Sequence, residues 1–220
     1  MNTRELVNFL EGLEENNNRP WFVMMKPAYD ILRAEFIELT GQVIAGTAKF
    51  DPPVAGQDAK KALFRINRDI RFSKDKSPYK TNFSAVIAPG GKKDPGSHYY
   101  FHIDYQGKLF VAGGCYMPPP DVLAKIRAYI AREPARFDKL MRAKNLWQRY
   151  GALQDEGRLA RPPKGYSADT PHIEHIRNKS FIVWNEVPVK SIGDARLAAT
   201  IVAGFKATKP LVDWLREAVR

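Results

Sequence analysis

This sequence of 220 residues contains one cysteine and no long apolar run. The lone Cys115 cannot form an internal disulfide. The absence of ~18 consecutive uncharged apolar residues excludes a membrane-spanning helix, and the first residues lack the apolar stretch of a secretory signal. These absences predict a cytoplasmic protein without a membrane partner. The apolar content of 44%, with 11% aromatic residues, excludes a disordered or collagen-like chain.

No obvious linker divides the chain. It contains no Gly/Ser-rich tract, no low-complexity segment and no internal repeat. A length of 220 residues allows one large domain or two small ones. We therefore expect residues 1–220 to form a single domain.

Positive charge is concentrated in one short stretch. The net charge is +11, but residues 1–59 carry five basic and nine acidic side chains. Residues 60–80 carry eight basic and two acidic ones. Such a basic excess suits phosphates, nucleic acids or anionic metabolites, and it is also compatible with an ordinary solvated surface.

Hydrophobic spacing predicts helices at both ends of the chain and strands between them. Apolar residues recur at helical spacing near both termini and after Asp121 and Pro134, and they alternate at strand spacing in the middle. This order predicts an α+β fold with an antiparallel-dominated sheet and flanking helices. The predicted helices are 3–15, 27–44, one from Asp121, one from Pro134 and two near the C-terminus; the predicted strands are 64–72, 82–88, 98–105, 108–116 and 181–187.

Strands 98–105 and 108–116 are predicted to form a β-hairpin. Gln106-Gly107 is a suitable two-residue turn, since glycine tolerates a positive φ. With that loop length, His102 would lie opposite Val111, whereas a longer loop would change the register.

The segment from Arg65 to Lys80 contains six cations and two carboxylates. On a strand, Arg68 would share a face with apolar neighbours, where an arginine needs a carboxylate partner because a buried unpaired charge is unfavourable. The guanidinium groups around Asp69 would form a fork that can hold an anion with two hydrogen bonds.

The same segment carries a recognisable pattern, R-x-x-R-D-x-R-F-x-x-D-K-x-x-Y. In this form it resembles the signature of a bacterial family known as domain of unknown function 2461. The similarity extends over about residues 6–216. Because that family has no established activity, the resemblance implies no catalytic role for any residue. The residues that match the pattern are Arg65, Arg68, Asp69, Arg71, Phe72, Asp75, Lys76 and Tyr79.

Three classes of function follow from this segment. The first is a protein that binds a phosphorylated metabolite or nucleic acid; the second is an enzyme acting on a phosphorylated or carboxylated substrate, with Asp69, Asp75 or Tyr79 carrying a proton. In the third class the charges form only an internal salt-bridge network of a structural or interaction protein. The predicted anion-binding residues are Arg65, Arg68, Asp69, Arg71, Asp75, Lys76, Tyr79 and Lys80.

Other candidate sites are weaker. Strand geometry separates His98 and His102 by about 13 Å, too far for one metal ion, so no metal site is predicted. A nucleophilic pair of Cys115 and His98 would need an oxyanion hole, whereas a buried structural cysteine needs none. The run ending at Lys92 (Gly-Gly-Lys) is too short for a phosphate-binding loop, and no motif predicts a cofactor. The sequence does not determine enzyme status or oligomeric state.

Overall fold

The computed structural model describes residues 1–220 and contains ten α-helices and four strands. The helices are α1 (Thr3–Glu15), α2 (Arg19–Met24), α3 (Lys26–Ala48), α4 (Ala59–Ala62), α5 (Pro120–Arg132), α6 (Pro134–Met141), α7 (Lys144–Tyr150), α8 (Ile173–Ile176), α9 (Val189–Ile192) and α10 (Leu197–Ala218). The strands are β1 (Asn82–Ile87), β2 (His98–Asp104), β3 (Lys108–Cys115) and β4 (Phe181–Pro188). The fold is therefore α+β, as predicted.

Helices α1 and α3 form where the apolar spacing predicts them. Asn2 caps α1 by accepting a hydrogen bond from the backbone of Glu5, as N-cap asparagines commonly do. Its apolar positions, including Leu6 and Leu10, are fully buried. Helix α3 extends a few residues beyond the predicted range at its C-terminal end, because helical hydrogen bonding continues past the last apolar position.

The four strands form one antiparallel sheet in the order β1-β2-β3-β4. The odd-numbered residues of β2 are buried, among them Phe101, and the even-numbered ones are partly exposed. This alternation is the pattern of a sheet with one face packed against the core. On the core side, Phe101 stacks against Phe36 of α3 with ring centroids 5.3 Å apart.

The predicted hairpin forms, but its register is shifted by one residue. The Gly107 amide donates to the Asp104 carbonyl across a three-residue connection, and Gly107 has φ +70°. As a result His102 lies beside Phe110, with parallel rings 4.7 Å apart. Val111 is buried on the opposite face, so the predicted pairing of His102 with Val111 is wrong.

The chain divides into two compact units, each with its own buried residues. The first comprises residues 1–92, 100–111 and 186–204, and the second comprises residues 93–99, 112–185 and 205–220. The core of the second unit is centred on Phe137, Phe181 and Leu211. That the whole chain acts as one domain stays a prediction.

The C-terminal region forms one helix rather than the two expected. Helix α10 continues through Pro210, although proline lacks the N–H group that a helix interior uses. Its buried residues form one continuous apolar stripe, which includes Leu197, Phe205, Leu211 and Leu215. Burial along this stripe favours an uninterrupted helix. None of the ten helices has both the length and the apolar character needed to cross a bilayer.

Candidate functional site

The segment predicted as a strand over 64–72 is instead an irregular excursion that folds back on itself. Only isolated bridges form: Leu63 pairs with Ala85, and Asn67 pairs with Tyr79. Pro78 has no N–H group and can only accept, which limits a regular ladder at this point. Beyond Asn67 the chain forms no further bridge until Tyr79. Phe72, which was expected on an apolar strand face, is 94% exposed.

The tip of this excursion, residues 68–77, is held by charges of its own. The Arg68 guanidinium forms an ion pair with Asp75, which meets the predicted need of Arg68 for a carboxylate. Asp75 also accepts hydrogen bonds from the amide and hydroxyl of Ser77, at 2.9 and 2.7 Å. Lys76 donates to the Ile70 carbonyl at 3.0 Å. These contacts are local and hold the tip together without a ligand.

Asp69 and Arg71 form a second pair at the tip. Arg71 Nε and Nη2 donate to the two carboxylate oxygens of Asp69 at 2.9 and 2.7 Å. The fork predicted to hold an external anion is therefore occupied by Asp69. The hydrogen bonds from Arg71 lower the pKa of Asp69, and those from Ser77 and Arg68 lower the pKa of Asp75.

Tyr79 lies on the core side and away from the tip. Its ring is 7% exposed and stacks on Phe22 with centroids 4.1 Å apart. Asn17 holds its backbone through two 3.0 Å hydrogen bonds, one to the amide and one to the carbonyl. The residue anchors the excursion on the N-terminal helices, which is a structural contribution.

A different group of cations lies at the base of the excursion. Lys80 and Lys92 place their ammonium groups 5.2 and 5.7 Å from the centroid of the Phe64 ring, within cation–π distance. Arg65 is exposed and makes no salt bridge within 4 Å, and its charge contributes to the lowered pKa of Asp69. We call Arg65, Lys80 and Lys92 the open basic group. Phe64, the aromatic residue at its centre, is 40% exposed.

The environment of Lys80 distinguishes the open basic group from the tip. Burial lowers the pKa of the Lys80 ammonium, and the positive charges of Arg65 and Lys92 lower it further. No carboxylate is close enough to raise the pKa of Lys80 again. Lys92 also donates a hydrogen bond to the Leu63 carbonyl oxygen at 2.7 Å, which is a neutral acceptor.

A small cavity adjoins Phe64 on the side of α3. Its volume is about 10 Å³, room for about one water molecule, and its lining includes Tyr29, Arg33 and Asn82. The Asn82 side-chain oxygen is buried without a hydrogen-bond partner, and the Tyr29 hydroxyl bonds to Arg33. Polar groups therefore converge beside the exposed ring.

The predicted anion-binding residues separate into three places. Arg68, Asp69, Arg71, Asp75 and Lys76 belong to the tip, Tyr79 is in the core, and Arg65 and Lys80 belong to the open basic group. Sequence reasoning missed Phe64, which alternation had placed on a strand face, and it treated Lys92 only as part of a short glycine loop. No signal in the sequence singles them out, because Asp94 lies only two positions after Lys92 and Phe64 has the spacing of an ordinary strand residue.

Cys115 is a buried structural residue. Burial raises the pKa of its thiol to about 12, and Sγ lies 3.7 Å from the Pro95 carbonyl oxygen. A side chain at Gly114 would overlap the Phe181 carbonyl oxygen, and one at Gly113 would overlap Thr208. The two glycines therefore allow close packing within the second unit. The His98 ring hydrogen-bonds to the Gly96 carbonyl at 3.2 Å.

These features define an α+β protein with an antiparallel sheet and a basic, aromatic surface group. The chain belongs to the family of conserved hypothetical proteins termed DUF2461, which it matches over residues 5–214. No curated protein matches the chain.

One similar solved structure is the crystal structure of an uncharacterized protein from Methanothermobacter thermautotrophicus. The identity is 15% and the TM-score is 0.38; the match covers 80% of this chain and 99% of that one. At this level of similarity the neighbour adds nothing to the functional argument.

Proposed function

We propose that this protein binds a phosphate-bearing ligand through the open basic group of Arg65, Lys80 and Lys92. The observation that carries the proposal is that the ammonium groups of Lys80 and Lys92 lie 5.2 and 5.7 Å from the same ring centroid, that of Phe64. Lys80 is half-buried there, and the neighbouring positive charges lower its pKa. Like charges held together are unfavourable unless an anion joins them. A phosphate supplies that anion and accepts several charge-assisted hydrogen bonds at once.

The rest of the basic segment supports this choice by contrast. Arg68 and Arg71 already face carboxylates in Asp75 and Asp69, so an external anion would have to displace these pairs. The tip is thus best explained as an internal salt-bridge network that shapes the excursion. We place the proposed site at the base of the excursion, where Lys80 has no carboxylate neighbour. Arg65 forms no salt bridge there, although its charge helps to lower the pKa of Asp69.

Enzymatic use of the same segment has no observation in its favour. Asp69 and Asp75 have lowered pKa values because cations and hydrogen-bond donors stabilise their charged forms, which makes them poor proton carriers near neutral pH. The Tyr79 ring is buried against Phe22. We therefore propose binding and assign no reaction.

The test is an NMR titration of the full chain with inorganic pyrophosphate. We expect the largest shifts at Lys80 and Lys92, and we expect Lys80→Gln to weaken binding about tenfold, the loss typical of one charge-assisted hydrogen bond. Lys139→Gln is the matched control, because Lys139 is exposed on α6 and forms no salt bridge.

Two results would overturn the proposal. One is the absence of any pyrophosphate-dependent shift at millimolar concentrations. The other is binding that survives Lys80→Gln and is lost in Arg71→Gln, which would place the anion at the tip instead.

A further inference from the structure

Four rings form a continuous group on the partly exposed face of the sheet in the first unit. Phe64 lies edge-on to Tyr100 with centroids 6.1 Å apart, and Tyr100 lies edge-on to Phe110 at 5.9 Å. His102 stacks on Phe110 at 4.7 Å with the planes 4° apart. We call Phe64, Tyr100, His102 and Phe110 the aromatic row.

Hydrogen bonds hold two of the four rings of the aromatic row in place. The Tyr100 hydroxyl and His102 Nδ1 are 3.2 Å apart, and the Tyr100 hydroxyl also bonds to Ser84 of β1. The neighbouring strand residues Phe101 and Ile103 point into the core. Tyr100 and His102 are therefore held in position, and a ligand that stacks against them does not have to order them first.

Cations lie at one end of the aromatic row. Lys80 and Lys92 are within 6 Å of the Phe64 ring centroid, and Arg65 follows Phe64 directly in the chain. A nucleotide joins an anionic phosphate to a flat base through one sugar. Cations and rings placed side by side are therefore complementary to such a unit and to a chain of them.

We infer that the phosphate-bearing ligand is a single-stranded nucleic acid whose backbone meets the open basic group and whose bases stack on the aromatic row. This inference rests on the proposed function, because it uses the same cations. A single strand is favoured over a duplex because the base faces in a duplex are stacked on one another and cannot reach protein rings.

The composition of the surface argues against a docked apolar helix. Three of the groups on or beside the aromatic row are polar, namely the Tyr100 hydroxyl, the His102 imidazole and the Ser84 hydroxyl. Cations border the row at Phe64. An apolar partner would leave these charges without a counterpart, whereas a nucleic acid provides one.

The experiment compares two fluorescent probes of equal charge by anisotropy, using the full chain. One is a ten-nucleotide thymidine oligomer, and the other is the abasic deoxyribose-phosphate oligomer of the same length. We expect the thymidine oligomer to bind at least about tenfold more tightly, since stacking on an aromatic side chain contributes about 1–3 kcal/mol per base.

Variants separate base stacking from backbone binding. Phe64→Ala is expected to reduce the affinity for the thymidine oligomer about tenfold and to leave the abasic oligomer unaffected. Phe72→Ala is the matched control, because Phe72 is exposed beside Arg71 but lies outside the aromatic row. Phe64→Leu keeps an apolar side chain at the position but removes the ring. We expect the same loss of affinity in this variant, which therefore tests base stacking even if the alanine variant is poorly folded.

The outcomes distinguish this inference from the proposed function. Equal affinities for the two probes, both weakened by Lys80→Gln, would overturn base stacking and leave phosphate binding intact. Binding of a self-complementary duplex as tight as that of the thymidine oligomer would also overturn it. Absence of binding to either probe, together with absence of pyrophosphate binding, would overturn both.

Discussion

Lys80 holds a positive charge in a place that favours the neutral amine. Burial, Arg65 and Lys92 all lower the pKa of its ammonium group. A lysine with a lowered folded-state pKa destabilises the fold while it is charged; the destabilisation is fully present at neutral pH and disappears as the pH rises through the folded and then the unfolded pKa. A group that weakens the fold and has no internal counter-ion is typical of a binding residue.

We predict that Lys80→Met raises the melting temperature while it weakens pyrophosphate binding. Methionine keeps an unbranched apolar side chain beside Phe64 and removes the repulsion. Because Lys80 is only partly buried, the gain is small, on the order of 1–2 °C. Differential scanning calorimetry at pH 7 measures it, with Lys139→Met as control. A lower melting temperature would mean that the cation over the ring stabilises more than its neighbours destabilise.

The excursion between α4 and β1 combines a self-contained tip with an open base. At the tip, Asp75 joins Arg68 to Ser77. Because the pKa of Asp75 is lowered, its stabilisation is fully present above the ordinary carboxyl pKa of about 4 and is lost as the pH falls toward the lowered value. The tip therefore keeps its form at neutral pH without a ligand.

We predict that Asp75→Asn loosens the tip and leaves ligand binding almost unchanged. The asparagine lacks the charge that pairs with Arg68, so the Ser77 amide should exchange with solvent faster, as measured by hydrogen–deuterium exchange. In the parent protein the same amide should lose protection only well below pH 4. Pyrophosphate affinity that falls with Asp75→Asn as strongly as with Lys80→Gln would show that the tip belongs to the binding site.

At the scale of the whole molecule, the net charge of +11 attracts any polyanion. This long-range attraction adds to the affinity that the open basic group contributes through direct contacts. Salt dependence separates the two, because the slope of log affinity against log salt counts the phosphates in contact.

We predict a slope of about −2 for the thymidine oligomer. Three cations, Arg65, Lys80 and Lys92, would neutralise about three phosphates, and each contributes about −0.7 for a single strand. Lys80→Gln should reduce the magnitude by about 0.7, and Lys139→Gln should leave it unchanged. Anisotropy titrations at salt concentrations between about 50 and 300 mM measure this slope. A slope steeper than about −5 would indicate diffuse binding over the basic surface.

Much of the architecture could be predicted because it depends on local periodicity. The helical spacing of Leu6 and Leu10 and the strand alternation of β2 are properties of neighbouring residues, and both follow from burial of one face. The predicted register of the hairpin is wrong by one residue, because the register depends on whether Tyr105 belongs to the strand or to the turn. That choice changes few local interactions.

The candidate site was harder to predict than the fold. The need of Arg68 for a carboxylate was readable, since an arginine near apolar residues requires a partner, and that partner is Asp75. Which cations remain without a salt bridge could not be predicted from the sequence. Lys92 lies 12 positions after Lys80 in the chain and meets it only because both reach the same ring, Phe64.

The amino-acid sequence alone determined the α+β class, the helices at both ends and the concentration of cations in residues 60–80, because composition and short-range spacing govern these features. The tertiary structure decided which charges neutralise each other and which do not. Electrostatic energy depends on distances in space, and the chain separates Asp69 and Asp75 at the tip from Lys80 at its base, so the same sequence contains both a closed network and an open one.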